Sequence, residues 1–203
     1  MSGQVIAVVL AAGSSRRMGR PKQLLPWGDS TVLGQTLHNL QQSTVDETVV
    51  VTGHEAQAVT AIAAQFDVSV NYNEAYDEGE MLSSLQKAVA TVGERCEAVL
   101  VVLADQPMVG PQLIDRLLNA YADGRGDLLA PAYGGRRGNP VLIGRRYFQE
   151  LLDLGRGKAP RHLLRRYRDK LRLIDVDSEA VLQDVDSPED YERYRPGNQP
   201  SPF

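Results

Sequence analysis

The segment 10–22 carries the residue types that bind a triphosphate. Small residues at 11–13 let a ligand approach the backbone closely, and two serines offer hydroxyl donors beside a turn whose N–H groups can hold phosphate. Arg17 and Lys22 add positive charge. An arginine can donate two hydrogen bonds to a phosphate, and a lysine can neutralise the negative charge that develops during transfer, so both residue types suit a triphosphate site. A surface loop with scattered basic residues is the alternative interpretation. The residues assigned to nucleotide binding in this segment are Leu10, Ala11, Ala12, Gly13, Ser14, Ser15 and Lys22.

Two common phosphate-binding motifs are absent from this segment. The dinucleotide fingerprint needs three glycines spaced G-x-G-x-x-G, whereas this segment has only Gly13 and Gly19. The P-loop needs Gly-Lys followed by Ser or Thr, which is also missing. Both absences argue against a nicotinamide oxidoreductase and a P-loop ATPase.

Two acids could hold a divalent cation near this segment. Asp105 ends the most apolar run of the chain, 98–104, and a carboxylate at the end of such a strand lies at a binding crevice. Mg²⁺ is usually held by one or two carboxylates together with phosphates and waters. Asp186 is an acid whose local sequence mainly suits a helix start, because serine, proline and two acids follow it, and a role as metal ligand is the alternative interpretation.

The elements that must position these residues alternate between strand and helix. The pattern predicts a three-layer α/β/α sandwich with a mostly parallel, Rossmann-like sheet and ligands at the carboxyl ends of the strands. The predicted strands are 5–10, 47–52, 68–71, 98–104, 127–131, 140–143 and 171–176. The predicted helices are 31–42, 57–64, 83–92, 111–121, 147–154, 161–167 and one from 187 onward.

Length and composition predict one domain over 1–195 and a flexible tail over 196–203. The net charge of −4 argues against a nucleic-acid binder. A single cysteine, Cys96, and no long apolar run predict a cytoplasmic protein that does not bind membranes. Twelve of the 22 lysines and arginines lie between Arg136 and Arg172, where they form either an anion-binding surface or a solvated helix face.

Several motifs together resemble the MobA-like nucleotidyltransferases, and most closely the MocA-like molybdenum cofactor cytidylyltransferases. The resemblance covers nearly the whole chain. Its motifs are Leu10 to Gly28, Gly79-Glu80-Met81-Leu82-Ser83-Ser84-Leu85, Leu103-Ala104-Asp105-Gln106-Pro107, Arg137-Gly138-Asn139-Pro140-Val141 and Asp184 to Tyr191.

The resemblance implies transfer of CMP from CTP to the phosphate of a molybdopterin, with Mg²⁺ as cofactor and Mn²⁺ able to replace it. It implies that Arg17, Lys22 and Asp105 are catalytic, and that Asp105 and Asp186 hold the metal. The residues it assigns to the base or ribose are Gly79, Ser83 and Ser84, which by local sequence alone indicate a turn and a helix cap. The residues it assigns to the acceptor are Arg137 and Asn139.

Ala12 resembles the cytidylyltransferase form, because guanylyl-transferring relatives tend to carry a second glycine there. Two departures concern the acceptor half: Asn139 stands where histidine is common, and 155–158 lacks an acid often found after its first glycine. His54 has no evident nucleophile partner and is interpreted as structural, and no role is assigned to Cys96.

Three alternatives remain open at this point. The chain could transfer GMP, or it could act on a sugar phosphate or another small anionic acceptor. It could also be an accessory protein that delivers a cofactor to a molybdoenzyme partner. The presence of Arg17, Lys22, Asp105 and Asp186 argues against an inactive site.

Overall fold

A computed structural model describes residues 4–15, 18–77, 80–155 and 157–197, with only the backbone of Glu80. The strands are β1 (Val5–Leu10), β2 (Pro26–Trp27), β3 (Ser30–Thr31), β4 (Glu47–Thr52), β5 (Ser69–Tyr72), β6 (Ala98–Leu103), β7 (Leu128–Tyr133), β8 (Arg136–Arg137), β9 (Val141–Gly144) and β10 (Arg172–Asp175). The α-helices are α1 (Val32–Gln41), α2 (Ala56–Ala63), α3 (Glu80–Val92), α4 (Pro111–Ala122), α5 (Phe148–Leu152), α6 (Arg161–Arg166) and α7 (Pro188–Tyr194). Short 3-10 turns cover Lys22–Leu24, Arg145–Tyr147 and Glu179–Leu182.

One sheet organises the described chain, with strand order β10-β7-β9-β6-β1-β4-β5 and β8 paired to β7. Strands β6, β1, β4 and β5 are mutually parallel, as are β7 and β10, whereas β9 runs antiparallel to both of its neighbours. The predicted α/β sandwich with a mostly parallel sheet is therefore confirmed. The hairpin β2–β3 and the short strand β8 were not predicted.

Both faces of the central strands are buried, which explains their unbroken apolar sequences. Alternate residues of β1 enter different cores: Val5, Ala7 and Val9 pack on one face, and Ile6 and Val8 on the other. This arrangement is typical of a parallel sheet covered by helices on both sides. It leaves the strand ends as the place where polar side chains can gather.

A third, smaller apolar cluster lies beside the predicted phosphate loop. It joins the β2–β3 hairpin to the start of α7 through the buried side chains of Trp27, Val185 and Tyr191. The Tyr191 hydroxyl donates to the Pro26 carbonyl at 2.7 Å. The segment that carries Asp186 is thereby packed against the N-terminal quarter of the chain.

Helix starts follow the local signals in the sequence. Thr31 caps α1 by accepting from the Gly34 amide at 3.0 Å, and Ser187 and Asp190 form a reciprocal capping box at the start of α7. No described helix has the length and hydropathy needed to cross a membrane. The domain boundary at 195 stays a prediction, and most of the predicted tail, 198–203, lies outside the described residues.

Candidate active site

A cavity of about 910 Å³ opens where β1, β4 and β6 end. Parallel pairing brings the last residues of these three strands, Leu10, Thr52 and Leu103, to one edge of the sheet. Loops rather than strands supply the polar groups, as expected for this class of sheet. The lining residues are Leu10, Ala11, Ala12, Gly13, Ser14, Lys22, Gln23, His54, Tyr76, Asp77, Met81, Ser84, Leu103, Ala104 and Asp105.

The loop after β1 is held open by a buried glutamine. Gln23 is 3% exposed, and its Nε2 donates to the carbonyls of Ala11 and Gly13 at 3.4 and 3.3 Å. The N–H groups of Gly13 and Ser14 find no acceptor within the described part of the chain. A Cβ added at Gly13 would meet nothing within 4 Å, so the open space beside it belongs to the cavity. Such free amides beside open space suit phosphate oxygens.

Ser15 closes this loop instead of lining the cavity. Its backbone is left-handed, with φ of 50°. Its hydroxyl donates to Gln23 Oε1 at 3.3 Å and accepts from the Lys22 amide at 3.0 Å. Both hydrogen bonds serve the loop itself, and direct contact of Ser15 with a nucleotide stays a prediction.

Lys22 lies between two carboxylates at the wall of the cavity. Its ammonium group donates to Asp105 Oδ2 and to Asp186 Oδ1. Burial alone would lower the pKa of Lys22, but the charges and hydrogen bonds of Asp105 and Asp186 outweigh burial and raise it. The cavity therefore presents a charged ammonium group that is neutralised by two acids.

Asp105 has a second oxygen that is not satisfied. Its Oδ1 is buried and has no hydrogen-bond partner among the described residues. A buried carboxylate oxygen without a donor is costly, and a cation would satisfy it. The described residues contain no group of three or more His, Cys, Asp or Glu side chains that would enclose a metal by themselves. Two carboxylates plus substrate phosphates is instead the arrangement that Mg²⁺ commonly uses.

A third acid stands behind this pair. Asp184 accepts a hydrogen bond from Gln106 Nε2, and Gln106 is 2% exposed. Burial, followed by the charge of Asp105, raises the pKa of Asp184 to about 6. Neither Asp184 nor Gln106 was predicted as a functional residue, although both stand inside the motifs that carry the family resemblance.

The far wall of the cavity is built by the start of α3 and the loop before it. Asn73 is 3% exposed, and its Nδ2 donates to Ser83 Oγ at 3.0 Å and to Ser84 Oγ at 3.1 Å. Ser84 faces the cavity, whereas the Ser83 hydroxyl donates to the Ala75 carbonyl at 3.2 Å. Sequence reasoning missed Asn73, because a lone asparagine after a strand gives no signal beyond a turn.

Ala12 is packed against the loop that follows β4. A Cβ at Gly53 would lie 2.8 Å from the Ala12 Cβ and 2.5 Å from the Tyr76 Cβ, so these three residues are in close contact. His54 donates its amide to the Ala12 carbonyl at 3.2 Å, and its ring lies 6.4 Å from that of Tyr76. Both residues line the cavity. His54, interpreted as structural from the sequence, therefore belongs to the wall of the space where a ligand would bind.

Comparison with known proteins agrees with this geometry. The model of the MobA-like NTP transferase domain matches residues 7–171. The chain belongs to the MobA-like NTP transferase family. It is accordingly a nucleotidyltransferase by family, and the predicted enzyme class is confirmed.

Three relatives illustrate the range of this MobA-like family. The molybdenum cofactor cytidylyltransferase of Escherichia coli is 24% identical, over 92% of this chain and 95% of that protein. The nicotine blue oxidoreductase of Paenarthrobacter nicotinovorans is 30% identical, over 91% of this chain and 93% of that protein. A Mycobacterium tuberculosis protein solved in complex with manganese is 34% identical, with a TM-score of 0.78, over 93% of this chain and 96% of that chain.

The predicted site residues of this MobA-like enzyme fall into three groups. The first group, which contains most of the predicted site residues between positions 10 and 105, lines one cavity. Arg137 and Asn139 do not line that cavity. Arg137 is exposed on β8, and the backbone amide of Asn139 donates to the Val181 carbonyl at 3.0 Å. Arg17 and Gly79 lie outside the described residues. Roles for all of these residues stay predictions.

The basic stretch from Arg136 to Arg172 is not one surface. Arg145 binds the carbonyls of Gly93 and Cys96, at 2.7 and 2.9 Å, and so serves the fold. Arg146 and Arg166 pair with acids of neighbouring elements. Arg136 instead lines a second cavity of about 360 Å³ together with Arg193 and two tyrosines. Arg145, Arg146 and Arg166 therefore make contacts within the fold, and the choice between an anion-binding surface and a solvated helix face stays open for the rest of the stretch.

Proposed function

We propose that this protein transfers CMP from CTP to the terminal phosphate of a molybdopterin and releases pyrophosphate. The observation that carries the proposal is the Lys22 ammonium group, bound by Asp105 and Asp186, together with the Gly13 and Ser14 amides, which have no acceptor among the described residues. A phosphate oxygen of the acceptor attacks the α-phosphorus, and the bond from the α-phosphorus to the bridging oxygen of pyrophosphate breaks. No covalent intermediate with the protein is required.

A divalent cation fits the donor set of the cavity. Asp105 and Asp186 would hold Mg²⁺, with the unsatisfied Asp105 Oδ1 as one ligand oxygen. When bound, the cation supplies charge neutralisation for the phosphate oxygens of donor and acceptor. The manganese complex of the mycobacterial relative supports a divalent site, and we expect Mn²⁺ to replace Mg²⁺.

The remaining contributions come from the chain itself. The amides of Gly13 and Ser14 bind phosphate oxygens, and Lys22 neutralises the charge that develops on the leaving pyrophosphate. Arg17 follows in the same loop, and we assign it to the triphosphate as well. Holding both substrates in line supplies much of the remaining rate.

The nucleotide is proposed to be CTP because of the side chain at position 12. Ala12 is 6% exposed, and its methyl group lies close to Gly53, as does the side chain of Tyr76. A second glycine there would remove this methyl group, and we propose that the His54–Tyr76 side of the cavity would then be wider. Ser84, held by Asn73, is then placed to contact the ribose or base.

The assignment of the acceptor site depends on the positive charge in the second half of the chain. Arg137 and Asn139, which lie outside the cavity lining, are proposed to bind the acceptor phosphate and dithiolene, and Asn139 replaces the histidine common in relatives. A molybdoenzyme that receives the product is the proposed partner, and the cytoplasm, where nucleoside triphosphates are available, is the proposed compartment.

The deciding experiment measures pyrophosphate release with CTP, GTP, ATP and UTP in Mg²⁺, with and without molybdopterin. The proposal expects release with CTP alone, and only when molybdopterin is present. Release with GTP only, or with a sugar phosphate as acceptor, would assign the enzyme to another substrate class. Product binding without turnover would favour the accessory role.

The relative named nicotine blue oxidoreductase makes redox chemistry the second candidate function. Oxidation of NADH or NADPH by a dye acceptor is therefore measured in parallel. Redox turnover without pyrophosphate release from any nucleotide would replace the proposal. The phosphate-binding features at Lys22 and Gly13 favour transfer.

A further inference from the structure

The two carboxylates proposed to hold the cation come from separate loops, and those loops are joined by two hydrogen bonds. One is between backbone groups: the Val185 amide donates to the Asp105 carbonyl at 2.9 Å. The other is between side chains, from Gln106 Nε2 to Asp184 Oδ1. Val185 and Gln106 are the sequence neighbours of Asp186 and Asp105, and Asp184 is two residues before Asp186. The loops are therefore joined directly behind the site.

The loop that carries Asp105 is fixed on its opposite side by helix α1. Asn39 Nδ2 donates to the carbonyls of Pro107 and Val109 at 2.9 and 3.0 Å, and Asn39 is 7% exposed. The Asp186 loop is fixed by the burial of Val185 in the Trp27 cluster. Each loop thus has its own anchor, and the position of one loop relative to the other is set by the Val185–Asp105 backbone bond together with the Gln106–Asp184 side-chain contact.

Lys22 alone does not hold the carboxylates together during the reaction. Its ammonium group now neutralises Asp105 and Asp186, but the proposed function requires the same group at the triphosphate. Two carboxylates that lose a shared cation repel each other until a divalent cation replaces it, so contacts between the loops are needed to keep the pair ready for that cation.

We infer that Gln106 and Asp184 are positioning residues, which keep the Asp105 and Asp186 carboxylates at the separation that one divalent cation requires. This inference rests on the proposed function, because it assumes that these two acids are the metal ligands. Hydrogen bonds behind metal ligands typically change metal affinity or activity by about 10- to 100-fold when removed. The role needs an acceptor at position 184 and a donor at position 106, and it does not need the charge of Asp184.

The test compares Asp184→Ala, Asp184→Asn and Gln106→Leu with the wild type. Mn²⁺ affinity is measured by electron paramagnetic resonance, with and without a non-hydrolysable CTP analogue, and steady-state kinetics and thermal unfolding accompany it. Asp184→Ala and Gln106→Leu should weaken Mn²⁺ binding about 10- to 100-fold and lower kcat, with the KM for CTP changed by less than about threefold. Asp184→Asn keeps an acceptor oxygen and should restore Mn²⁺ affinity to within about threefold of the wild type.

Gln86→Leu is the matched control, because it removes a glutamine that holds loops elsewhere. Gln86 Nε2 donates to the carbonyls of Leu151, Leu152 and Leu154, each at 3.0 Å, away from the cavity. Its loss should lower the melting temperature and leave Mn²⁺ affinity unchanged. A merely structural role for Gln106 would make the two glutamine variants behave alike.

The inference is overturned if Asp184→Ala and Gln106→Leu bind Mn²⁺ as the wild type does. It is also overturned if Asp184→Asn loses as much affinity as Asp184→Ala, since charge would then be the cause. Wild-type protein that binds Mn²⁺ but transfers no nucleotide contradicts the proposed function alone, and the variant affinities still decide the inference. Wild-type protein that binds no Mn²⁺ in either condition overturns both.

Discussion

Lys22 is the residue on which the site depends most, because it has two sets of anionic partners available. In the structure it contacts Asp105 and Asp186, whereas in the proposed reaction it contacts the triphosphate. Its pKa is raised by the two carboxylates, so it is protonated at neutral pH beside them. Under the proposed function, the same ammonium group would compete with a divalent cation before nucleotide binds and assist that cation afterwards.

Replacing Lys22 by methionine should separate these two effects. Turnover is expected to fall by about 10²- to 10³-fold, as when one charge-stabilising donor is removed from an active site. Mn²⁺ binding without nucleotide should become tighter, because the two carboxylates lose their competing cation. Lys170→Met, which removes an exposed lysine beside Asp169, should change neither quantity. Normal turnover in Lys22→Met would refute the catalytic assignment.

Cys96 illustrates a residue whose burial affects stability and not chemistry. It is 1% exposed, and burial raises the pKa of its thiol to about 11 from an ordinary value of 9.0. Between these two pH values the unfolded chain has lost the thiol proton and the folded chain retains it. The folded state then binds more protons, so this thiol makes the free energy of unfolding decrease as pH rises from about 9 to about 11.

We expect Cys96→Ala to lose that dependence. Urea unfolding at half-unit steps from pH 8 to 11 gives the free energy of unfolding for both proteins. The wild type should lose up to about 1.4 kcal/mol per pH unit relative to the variant inside this window. The cavity left by alanine lowers stability equally at every pH and serves as the baseline. Parallel pH curves would show that the thiol titrates normally in the folded protein.

At the scale of elements, the sequence predicted strand bounds best for strands that are buried on both faces. β1, β4 and β6 are buried on both faces, and their predicted bounds agree with the structure to within one residue. Hydrophobic periodicity locates α1 and α4 equally well. The direction of β9 could not be predicted, because a short apolar run reads the same whether it pairs parallel or antiparallel.

The site was predictable only where a motif was contiguous. The loop 10–15 and the ends of β1 and β6 were located from local sequence, because glycines, serines and an acid follow apolar strands there. The hairpin β2–β3 was missed because two-residue strands carry no periodic signal. Asn73 and Gln106 were missed because a buried amide gains its role from partners distant in sequence, and only the folded chain brings those partners within hydrogen-bonding distance.

A substitution at Gly53, which directly follows β4, tests how tightly the elements pack around the cavity. A Cβ at Gly53 would lie 2.5 Å from the Tyr76 Cβ and 2.8 Å from the Ala12 Cβ, distances that force the loops apart. Gly53→Ala should therefore lower the free energy of unfolding by about 1–3 kcal/mol and raise the KM for the nucleotide. Gly155→Ala, where the new Cβ meets nothing within 4 Å, should be close to neutral in urea unfolding. Equal stability of the two variants would mean that the Gly53 corner relaxes without cost.

At the scale of the whole molecule, the candidate site joins parts of the chain that are far apart in sequence. The loop after β1, the end of β6 and the segment before α7 meet at Lys22, Asp105 and Asp186. The sheet buries two extensive apolar clusters, one on each face, so most of the apolar burial lies outside this polar junction. Ligand binding across the junction should nevertheless add to the stability of the entire domain, because the ligand binds only when all three segments are in place.

Nucleotide and metal together should therefore raise the melting temperature more than the sum of their separate effects. A ligand at 100 times its Kd adds about 2.7 kcal/mol, which for a chain of this size corresponds to a shift of about 5–10 °C. Mn²⁺ alone should give little, since Lys22 holds the carboxylates until a triphosphate draws the ammonium group away. Differential scanning fluorimetry with CTP, with Mn²⁺ and with both measures the coupling, and GTP in place of CTP reports the nucleotide preference. Asp105→Asn should abolish the metal-dependent part, because it removes the ligand carboxylate while keeping the shape of the side chain; an unchanged coupling in that variant would place the cation elsewhere.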